Sequence, residues 1–225
     1  MDVKIEACIY RPRKIICAGF NSRQHVEEMG LNLPELNDIV FFLKSDNTIN
    51  SAYEPILLSQ YNQKVDWEAE LALIIGKECK NISSSQASEY ILGYCCFNDV
   101  SDRWWQFETA GNQHSKGKCF DTFAPIGPYI VTPDEVKNPW GLEIKLSVNG
   151  VLRQSFNTSD YLFRAEQAIS YFSKIFTLYP GDVIAFGSGP GNANAWGGRY
   201  LQDGDEVQLS ITGLGSQQQK VVLKN

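Results

Sequence analysis

The stretch that decides the fold is VDWEAELALIIG, from Val65 to Gly76. Its apolar run ends at a glycine and has the length and composition of a buried β-strand. Two acidic residues, Glu68 and Glu70, interrupt the run one residue apart. Because residues i and i+2 of a strand point to the same face, the sequence predicts that both carboxylates lie together, opposite the apolar residues beside them.

The paired carboxylates carry an electrostatic cost. Two ionised groups about 7 Å apart on one strand face repel each other strongly where the dielectric constant is low. A divalent cation between them would remove this repulsion. An edge strand open to solvent would instead leave both glutamates as ordinary surface residues, and the spacing alone allows either interpretation.

Outward from this stretch, the chain is mainly composed of strand patterns. Apolar and β-branched segments bounded by turn residues occur at KIICAGF (14–20), DIVFFLK (38–44), YILGYCCFNDV (90–100), PGDVIAFGSG (180–189), DGDEVQLSIT (203–212) and QKVVLKN (219–225). The segment LEIKLSVNGVLRQ (142–154) alternates around Asn149-Gly150, a dipeptide typical of a two-residue β-hairpin turn.

Helical patterns are short. SRQHVEEMG (22–30) has Ser22 as a candidate N-cap and Gly30 as its end, and weaker helical patterns cover 83–92 and 165–175. We therefore predict a protein that is mainly β with short helices (α+β), forming a single domain over 1–225. The first 50 or so residues are a candidate appended part, although no linker composition marks a boundary.

Composition excludes several classes of protein. The 225 residues carry a net charge of −6, so nucleic acid and anionic membranes are poor partners. No run of about 18 apolar residues is present that could span a membrane. The six cysteines include no CxxC pair, and the first residues lack the pattern of a signal peptide. These features predict a cytoplasmic protein with reduced cysteines.

A third carboxylate follows another strand pattern. In CCFNDVSDR, Asp99 comes where an apolar strand runs into a polar loop, a position that suits a functional site but also an ordinary turn. The chain has only two histidines, so a histidine-rich zinc site is excluded. A site made of carboxylates favours Mg²⁺ or Mn²⁺, which prefer oxygen ligands.

Three further features could take part in chemistry. His25 and Glu28 are three residues apart on a predicted helix, so they can form a general-base pair, although a surface histidine is often only structural. Lys116 and Lys118 precede a loop and could hold an anion or simply be solvated. The glycine-rich stretch 179–198 lacks a phosphate-loop pattern, but its backbone N–H groups could bind a carboxylate.

Several segments together resemble one family in the same order along the chain. They are GFNSRQHVEEMG (19–30), VDWEAELALIIGK (65–77), YILGYCCFNDVSDRWWQ (90–106), GKCFDTFAPIGPYIV (117–131), VNGVLRQSFNTSDYLF (148–163) and LYPGDVIAFGSGPG (178–191). Over nearly its whole length the chain resembles the fumarylacetoacetate hydrolase family. The similarity is to its small single-domain members that act on acylpyruvates and oxaloacetate.

The resemblance implies a mixed β-sandwich roll, a homodimer and a catalytic site with a lid segment at about 20–32. It implies that Mg²⁺ or Mn²⁺, with Ca²⁺ as a substitute in a crystal, binds Glu68, Glu70 and Asp99. The implied catalytic residues are His25, Glu28 and Lys118. The implied substrate-binding residues are Phe20, Asn21, Arg23, Lys44, Arg103, Gln106, Gly187 and Ser188.

The chain departs from the family pattern around the substrate. Phe20 stands where arginine is usual, with Arg23 as a candidate replacement, and Trp104 stands where aspartate is usual. Ala185 and Gly189 replace a threonine and a proline of the glycine-rich segment. These changes predict a pocket that is more aromatic and less cationic, with Trp104 and its neighbour contributing to it.

The implied reaction is metal-dependent hydrolysis of a C–C bond in a 2,4-dioxo acid of the acylpyruvate or fumarylacetoacetate type, through a metal-bound enolate. Alternatives that use the same electron sink are decarboxylation of oxaloacetate and keto–enol tautomerisation of a 2-oxo acid. A biosynthetic enzyme acting on a bulkier substrate and a non-catalytic binding protein with the same fold also stay open.

Overall fold

The structure is a computed structural model and describes residues 5–34 and 38–224. Its strands are β1 (Ile15–Ala18), β2 (Phe41–Lys44), β3 (Ile49–Asn50), β4 (Ile56–Leu58), β5 (Val65–Asp66), β6 (Ala69–Ile75), β7 (Ile91–Asn98), β8 (Ser101–Asp102), β9 (Ala124–Pro125), β10 (Glu143–Val148), β11 (Val151–Asn157), β12 (Val183–Ala185), β13 (Glu206–Ile211) and β14 (Gly215–Leu223).

The helices are few and short. They are α1 (Arg23–Glu28), α2 (His114–Lys118) and α3 (Ala165–Ile175), with a π-helical turn at Trp104–Glu108 and 3₁₀ turns at Asp46–Thr48, Ser84–Tyr90, Thr158–Asp160 and Ala193–Trp196. The predicted helix at 83–92 is therefore a 3₁₀ helix, and its Ser83–Gln86 capping box is formed. No helix in the described residues is both long and apolar enough to cross a membrane.

Two five-stranded sheets form the framework. Their strand orders are β2-β1-β12-β6-β7 and β11-β10-β13-β14-β4, and the first contains a parallel pair, β1 with β12, among antiparallel ones. Strand β6 packs against β10, and β7 packs against β13 and β14. The protein is therefore mainly β with short helices, as predicted, and the two sheets enclose the main core.

The first sheet is buried on both faces. In β6, Leu71 and Leu73 belong to the core between the sheets, whereas Ala72 and Ile74 belong to a second apolar cluster on the opposite face. The segment 71–75 is therefore continuously apolar because each of its residues has a buried face to occupy. Glu70 continues the row of Ala72 and Ile74, so its carboxylate points to the second face.

The local predictions of turns and caps are confirmed. Strands β10 and β11 form the hairpin, and both Asn149 and Gly150 have positive φ angles, 52° and 72°. The last strand is longer than the predicted segment 219–225, because it begins at Gly215 and pairs with β13 from there. Asn225 of that segment lies outside the described residues.

The first 50 residues are not an appended part. Strand β1 lies between β2 and β12 in the first sheet, so the segment completes the buried framework through backbone pairing with a strand more than 160 residues away. The single-domain organisation over 1–225 stays a prediction. All six cysteines are free, and four of them are buried.

Candidate active site

Three acidic residues meet where β7 ends and β6 begins. Asp99 directly follows β7, its backbone N–H donates to the carbonyl of Glu68 at 2.9 Å, and Glu70 is the second residue of β6. Each can offer a carboxylate oxygen such that all these atoms lie within 4.8 Å of one another. We call Glu68, Glu70 and Asp99 the acidic triad.

The strand prediction for Glu68 needs a small correction. Strand β6 begins at Ala69, so Glu68 lies in the short link from β5. Its backbone N–H donates to the side-chain oxygen of Asn98 at 3.0 Å rather than to a backbone carbonyl of the neighbouring strand β7. The predicted same-face geometry still holds, because Trp67, Ala69 and Leu71 pack together in the core on the opposite side.

Three cationic side chains form ion pairs with residues of the acidic triad. Lys44 at the end of β2 lies 2.5 Å from Asp99. Lys118 at the end of α2 bridges Glu68 and Asp99, at 2.5 Å from each. Arg103 contacts Glu68 at 2.7 Å and the buried Asp66 at 2.8 Å. Four carboxylates therefore face three cations, which leaves one negative charge in the buried cluster.

Glu70 is the member of the acidic triad that forms no ion pair among the described residues. Burial, and then the charges of Asp99 and Glu68, raise the pKa of Glu70 well above its ordinary value. For Glu68, burial acts in the same direction, but the positive charges of Arg103 and Lys118 outweigh it and hold its pKa well below the usual range. Gly187 donates a backbone hydrogen bond to Glu70 at 2.8 Å, in place of an ion pair.

The donor set fits a hard divalent cation. Three carboxylates converge, the cluster is short of one positive charge, and Glu70 has no cationic partner among the described residues. Each triad residue can offer one oxygen, which matches the preference of Mg²⁺ and Mn²⁺ for carboxylate ligands. A bound ion would also reverse the raised pKa of Glu70, because an adjacent positive charge favours the carboxylate.

Helix α1 places a histidine above this cluster. His25 Nδ1 lies 3.2 Å from Glu28 Oε2, as the spacing predicted, and His25 is 8% exposed. Ser22 caps the helix by accepting a hydrogen bond from the His25 backbone at 3.2 Å. The Ser22 hydroxyl also donates to Asp160 at 2.5 Å, which ties the start of the helix to the loop after β11.

The glycine-rich loop binds carboxylates of the protein itself. The backbone N–H of Gly191 donates to Glu28 at 3.1 Å, as that of Gly187 does to Glu70. Gly187 has φ 89°, and a Cβ there would lie 3.0 Å from the carbonyl of Ala18, so glycine is required. The predicted anion-binding groups of this loop are thus used to orient two acidic side chains of the site.

One cavity of about 110 Å³ joins these parts. It is lined by the acidic triad, by the predicted residues Phe20, His25, Arg103, Gln106, Lys118 and Ser188, and also by Ala18, Gly19, Met29, Phe42, Phe107, His114, Asn192 and Asn194. No pattern in the sequence predicted that the residues of this second set line the cavity. Its aromatic members come from β2, from the π-helical turn and from α2, whose relative positions no local pattern reveals.

Four predicted substrate-binding residues do not line the cavity. Lys44 is directed to Asp99, and Gly187 holds Glu70 through its backbone. Asn21 is buried and donates to the carbonyls of Phe163 and Phe186. Arg23 is exposed on α1, so the structure does not place it where it could replace a missing arginine at position 20. The first three support the site from behind its wall.

The prediction that Trp104 and its neighbour Trp105 contribute to the pocket is wrong. Trp104 and Trp105 pack edge to face on each other at 5.1 Å, and Trp105 donates to the carbonyl of Tyr61, away from the cavity. The aromatic lining comes instead from Phe20, Phe42 and Phe107. Within a π-helical turn, consecutive residues point in different directions, so only some of the aromatic side chains face the site.

The chain is similar to known proteins over most of its length. Residues 14–222 match the family model described as fumarylacetoacetate (FAA) hydrolase C-terminal. The chain is 41% identical over 222 residues to the oxaloacetate tautomerase FAHD2B, mitochondrial, of Bos taurus, covering 98% of this chain and 70% of the relative.

Two solved structures are close in fold. Fumarylacetoacetate hydrolase from Exiguobacterium antarcticum superposes with a TM-score of 0.89 at 35% identity, covering 100% of this chain and 80% of that one. Maleylpyruvate hydrolase from Sphingobium sp. SYK-6, in complex with manganese (II) ion and pyruvate, gives 0.82 at 31% identity, covering 98% and 74%. The chain therefore belongs to the fumarylacetoacetate hydrolase family.

Proposed function

We propose that this protein is a metal-dependent hydrolase that cleaves the C–C bond of a small 2,4-dioxo acid of the acylpyruvate type. The observation that carries the proposal is the presence of two groups in one cavity. His25, whose Nδ1 contacts Glu28, lines the same small space as the acidic triad. A base close to a cation site is what hydrolysis of a β-diketone requires, since water must be activated where the substrate is polarised.

A divalent cation held by Glu68, Glu70 and Asp99 would act as a Lewis acid toward the carboxylate and 2-oxo oxygens of the substrate. Lys118, Lys44 and Arg103 keep these acids in place through their ion pairs. Lys118 also lines the cavity and is itself positive, because the charges of Asp99 and Glu68 outweigh burial and raise its pKa.

His25 is the proposed general base. With Nδ1 directed to Glu28, Nε2 is the nitrogen that accepts a proton, and the Glu28 carboxylate stabilises the imidazolium that results. Water deprotonated by His25 attacks the distal carbonyl carbon. The bond between C3 and C4 then breaks, and the acyl group leaves as a carboxylic acid. The electron pair stays on C3 of the pyruvate fragment, which takes the proton back from His25 to give pyruvate.

The volume of the cavity supports a small substrate. About 110 Å³ is well below the roughly 300–1,000 Å³ of pockets that hold drug-sized ligands. A short acylpyruvate is therefore preferred over the bulkier substrate considered from the sequence.

Turnover of acetylpyruvate by the Mn²⁺-loaded protein tests the proposal. We expect pyruvate release in the wild type and a decrease in kcat of about 10²–10⁴-fold in His25→Gln, with Mn²⁺ affinity unchanged. Glu27→Gln, on the exposed side of α1, is the matched control and should leave kcat unchanged. Absence of turnover in the wild type, or full activity in His25→Gln, would contradict the proposal.

Tautomerisation of oxaloacetate is the second candidate. The relative at 41% identity is named an oxaloacetate tautomerase, and this reaction needs proton transfer at C3 but no attacking water. Product analysis separates the two reactions, because only hydrolysis of acetylpyruvate yields pyruvate and acetate, whereas tautomerisation changes the keto–enol ratio of oxaloacetate without breaking a bond.

Two further proposals concern the assembly and the location of the protein. We propose a homodimer in the cytoplasm that uses Mg²⁺ or Mn²⁺ and has no nucleic acid or membrane partner. The manganese in the maleylpyruvate hydrolase complex supports this choice of ion. Sedimentation measurements and metal titrations would test these points separately from the reaction.

A further inference from the structure

The cavity has a charged floor and an apolar opening. We call the acidic triad together with Lys44, Arg103 and Lys118 the floor. Phe20, Met29, Phe42 and Phe107 line it together with the acidic triad. Met29 and Phe107 are 45% and 47% exposed, whereas the triad residues are almost completely buried. The aromatic and thioether groups therefore lie toward the opening, and a substrate whose carboxylate is bound to a cation held by the triad would place its distal end among them.

Every cationic side chain on the described lining already has an acidic partner. Arg103 and Lys118 are bound to carboxylates of the floor, and His25 contacts Glu28. The lining groups of the glycine-rich loop are an uncharged serine and two asparagines. A second carboxylate at the distal end of a substrate would therefore lose its hydration without gaining a free cation, which is unfavourable.

His114 is the polar residue of the aromatic wall. Its ring centroid lies 5.7 Å from that of Phe42 and 5.7 Å from that of Phe107, so the imidazole is fixed between two rings. Among the described residues, no group is recorded as hydrogen-bonded to this imidazole. Burial, and then the charge of Lys118, lower the pKa of His114 from its ordinary value, which favours the neutral ring.

The geometry points to a defined substrate class, given the function proposed above. We infer that the site selects a 2,4-dioxo acid whose distal acyl group is uncharged and largely apolar. His114 is the specificity-determining residue that donates a hydrogen bond to the oxygen of this acyl group. Oxaloacetate, which ends in a second carboxylate, is then a poor substrate, and acylpyruvates with short alkyl ends are good ones.

Calorimetric titration of the Mn²⁺-loaded protein with substituted oxamates tests the class of distal group. Oxamate reproduces the carboxylate and 2-oxo oxygens of a 2-oxo acid, and its nitrogen substituent extends toward the opening. N-(3-methylbutyl)oxamate and N-(2-carboxyethyl)oxamate have equal numbers of non-hydrogen atoms and the same branching, but differ by one charge. We expect the neutral compound to bind at least about tenfold more tightly.

The two proposals fail in different ways in this experiment. Equal or tighter binding of the carboxylated oxamate, with oxamate itself binding, would overturn the inference alone. Failure of unsubstituted oxamate to bind would overturn the proposed function and this inference together.

A charge added to the wall should reverse the selectivity. In Phe107→Arg, a free cation at the opening should move the affinity ratio toward the carboxylated oxamate by about tenfold or more. Leu152→Arg is the matched control, because Leu152 is 50% exposed on β11 and does not line the cavity. An unchanged ratio in Phe107→Arg would contradict the placement of the distal group.

Substitution of His114 tests its part in the selectivity. His114→Phe keeps the ring packing but removes the donor, so KM for acetylpyruvate should rise about fivefold with a smaller change in kcat. His114→Gln restores a donor and should recover part of the loss. An unchanged KM in His114→Phe would exclude the hydrogen bond. A clear fall in Tm, or a fall in Mn²⁺ affinity of about fivefold, would show a structural role instead.

Discussion

The floor of the cavity and the helix above it are built in opposite ways. The floor is a buried network in which Lys44, Arg103 and Lys118, from three separate parts of the chain, are paired with acids on the edge of a sheet. Helix α1 has only six residues, and Glu28, one of the two side chains of the proposed base pair, is 30% exposed.

The floor and helix α1 differ in this way because they have different physical requirements. The floor must keep like charges together before a cation arrives, so it uses ion pairs whose geometry is fixed by the core. A six-residue helix is not stable on its own and depends on its N-cap and on contacts with the loop at Asp160. Such an element can open and close at low cost, as a lid over a substrate must.

Breaking the floor should have the largest effect. Lys44→Met removes one of the two lysine partners of Asp99 and also the donor to two buried backbone carbonyls. We expect the free energy of unfolding to fall by about 3–5 kcal/mol, measured by urea denaturation. Lys145→Met, which breaks the exposed pair with Glu143, is the control and should cost less than about 1 kcal/mol.

A similar small loss in both lysine variants would show that the floor is not held by its ion pairs.

Removing one charge of the acidic triad should affect the metal more than the fold. In Glu70→Gln, the amide oxygen can still accept the hydrogen bond from Gly187. Because the substitution also removes an unpaired buried charge, the metal-free protein should unfold at an equal or higher temperature. Mn²⁺ affinity should fall at least about a hundredfold, since even residues outside the first coordination shell contribute 10–100-fold.

Thermal unfolding with and without Mn²⁺ measures both effects. Undiminished stabilisation of Glu70→Gln by Mn²⁺ would exclude Glu70 as a ligand.

Loosening the helix should have the smallest effect on stability. Ser22→Ala removes the cap of α1 and should cost about 1 kcal/mol. Amide hydrogen exchange in residues 23–29 should become faster by about fivefold while the floor stays protected. Ser83→Ala, which removes the cap of the 84–90 turn, is the control and should leave exchange in α1 unchanged.

If exchange at the floor accelerates as much as exchange in α1 in the Ser22→Ala variant, the two walls are not independent.

Local patterns predicted much of this structure. The alternation of buried faces, the turn at Asn149-Gly150 and the helix capped by Ser22 each depend on a few consecutive residues, and each forms as predicted. The approach of His25 to Glu28 follows from helical spacing in the same way. One departure of this kind is the start of β6, where a side chain of the neighbouring strand replaces a backbone partner.

Long-range packing decided what local patterns could not. Lys116 and Lys118 are equivalent in the sequence, but only Lys118 reaches the floor, whereas Lys116 donates to a nearby backbone carbonyl. Likewise, Trp104 and Trp105 face away from the cavity, whereas His114, which no local pattern predicted as a site residue, lines it. The difference arises from the direction in which short helical turns are packed against the sheet.

The sequence by itself determined the strands, the caps, the same-face pairing of Glu68 with Glu70 and, through several ordered motifs, the family, because these depend on residues close together in the chain. Only the tertiary structure decided which cations balance the acids and which side chains line the cavity. Contacts such as Lys44 with Asp99, 55 residues apart, are set by the packing of whole sheets and not by any pattern within one segment.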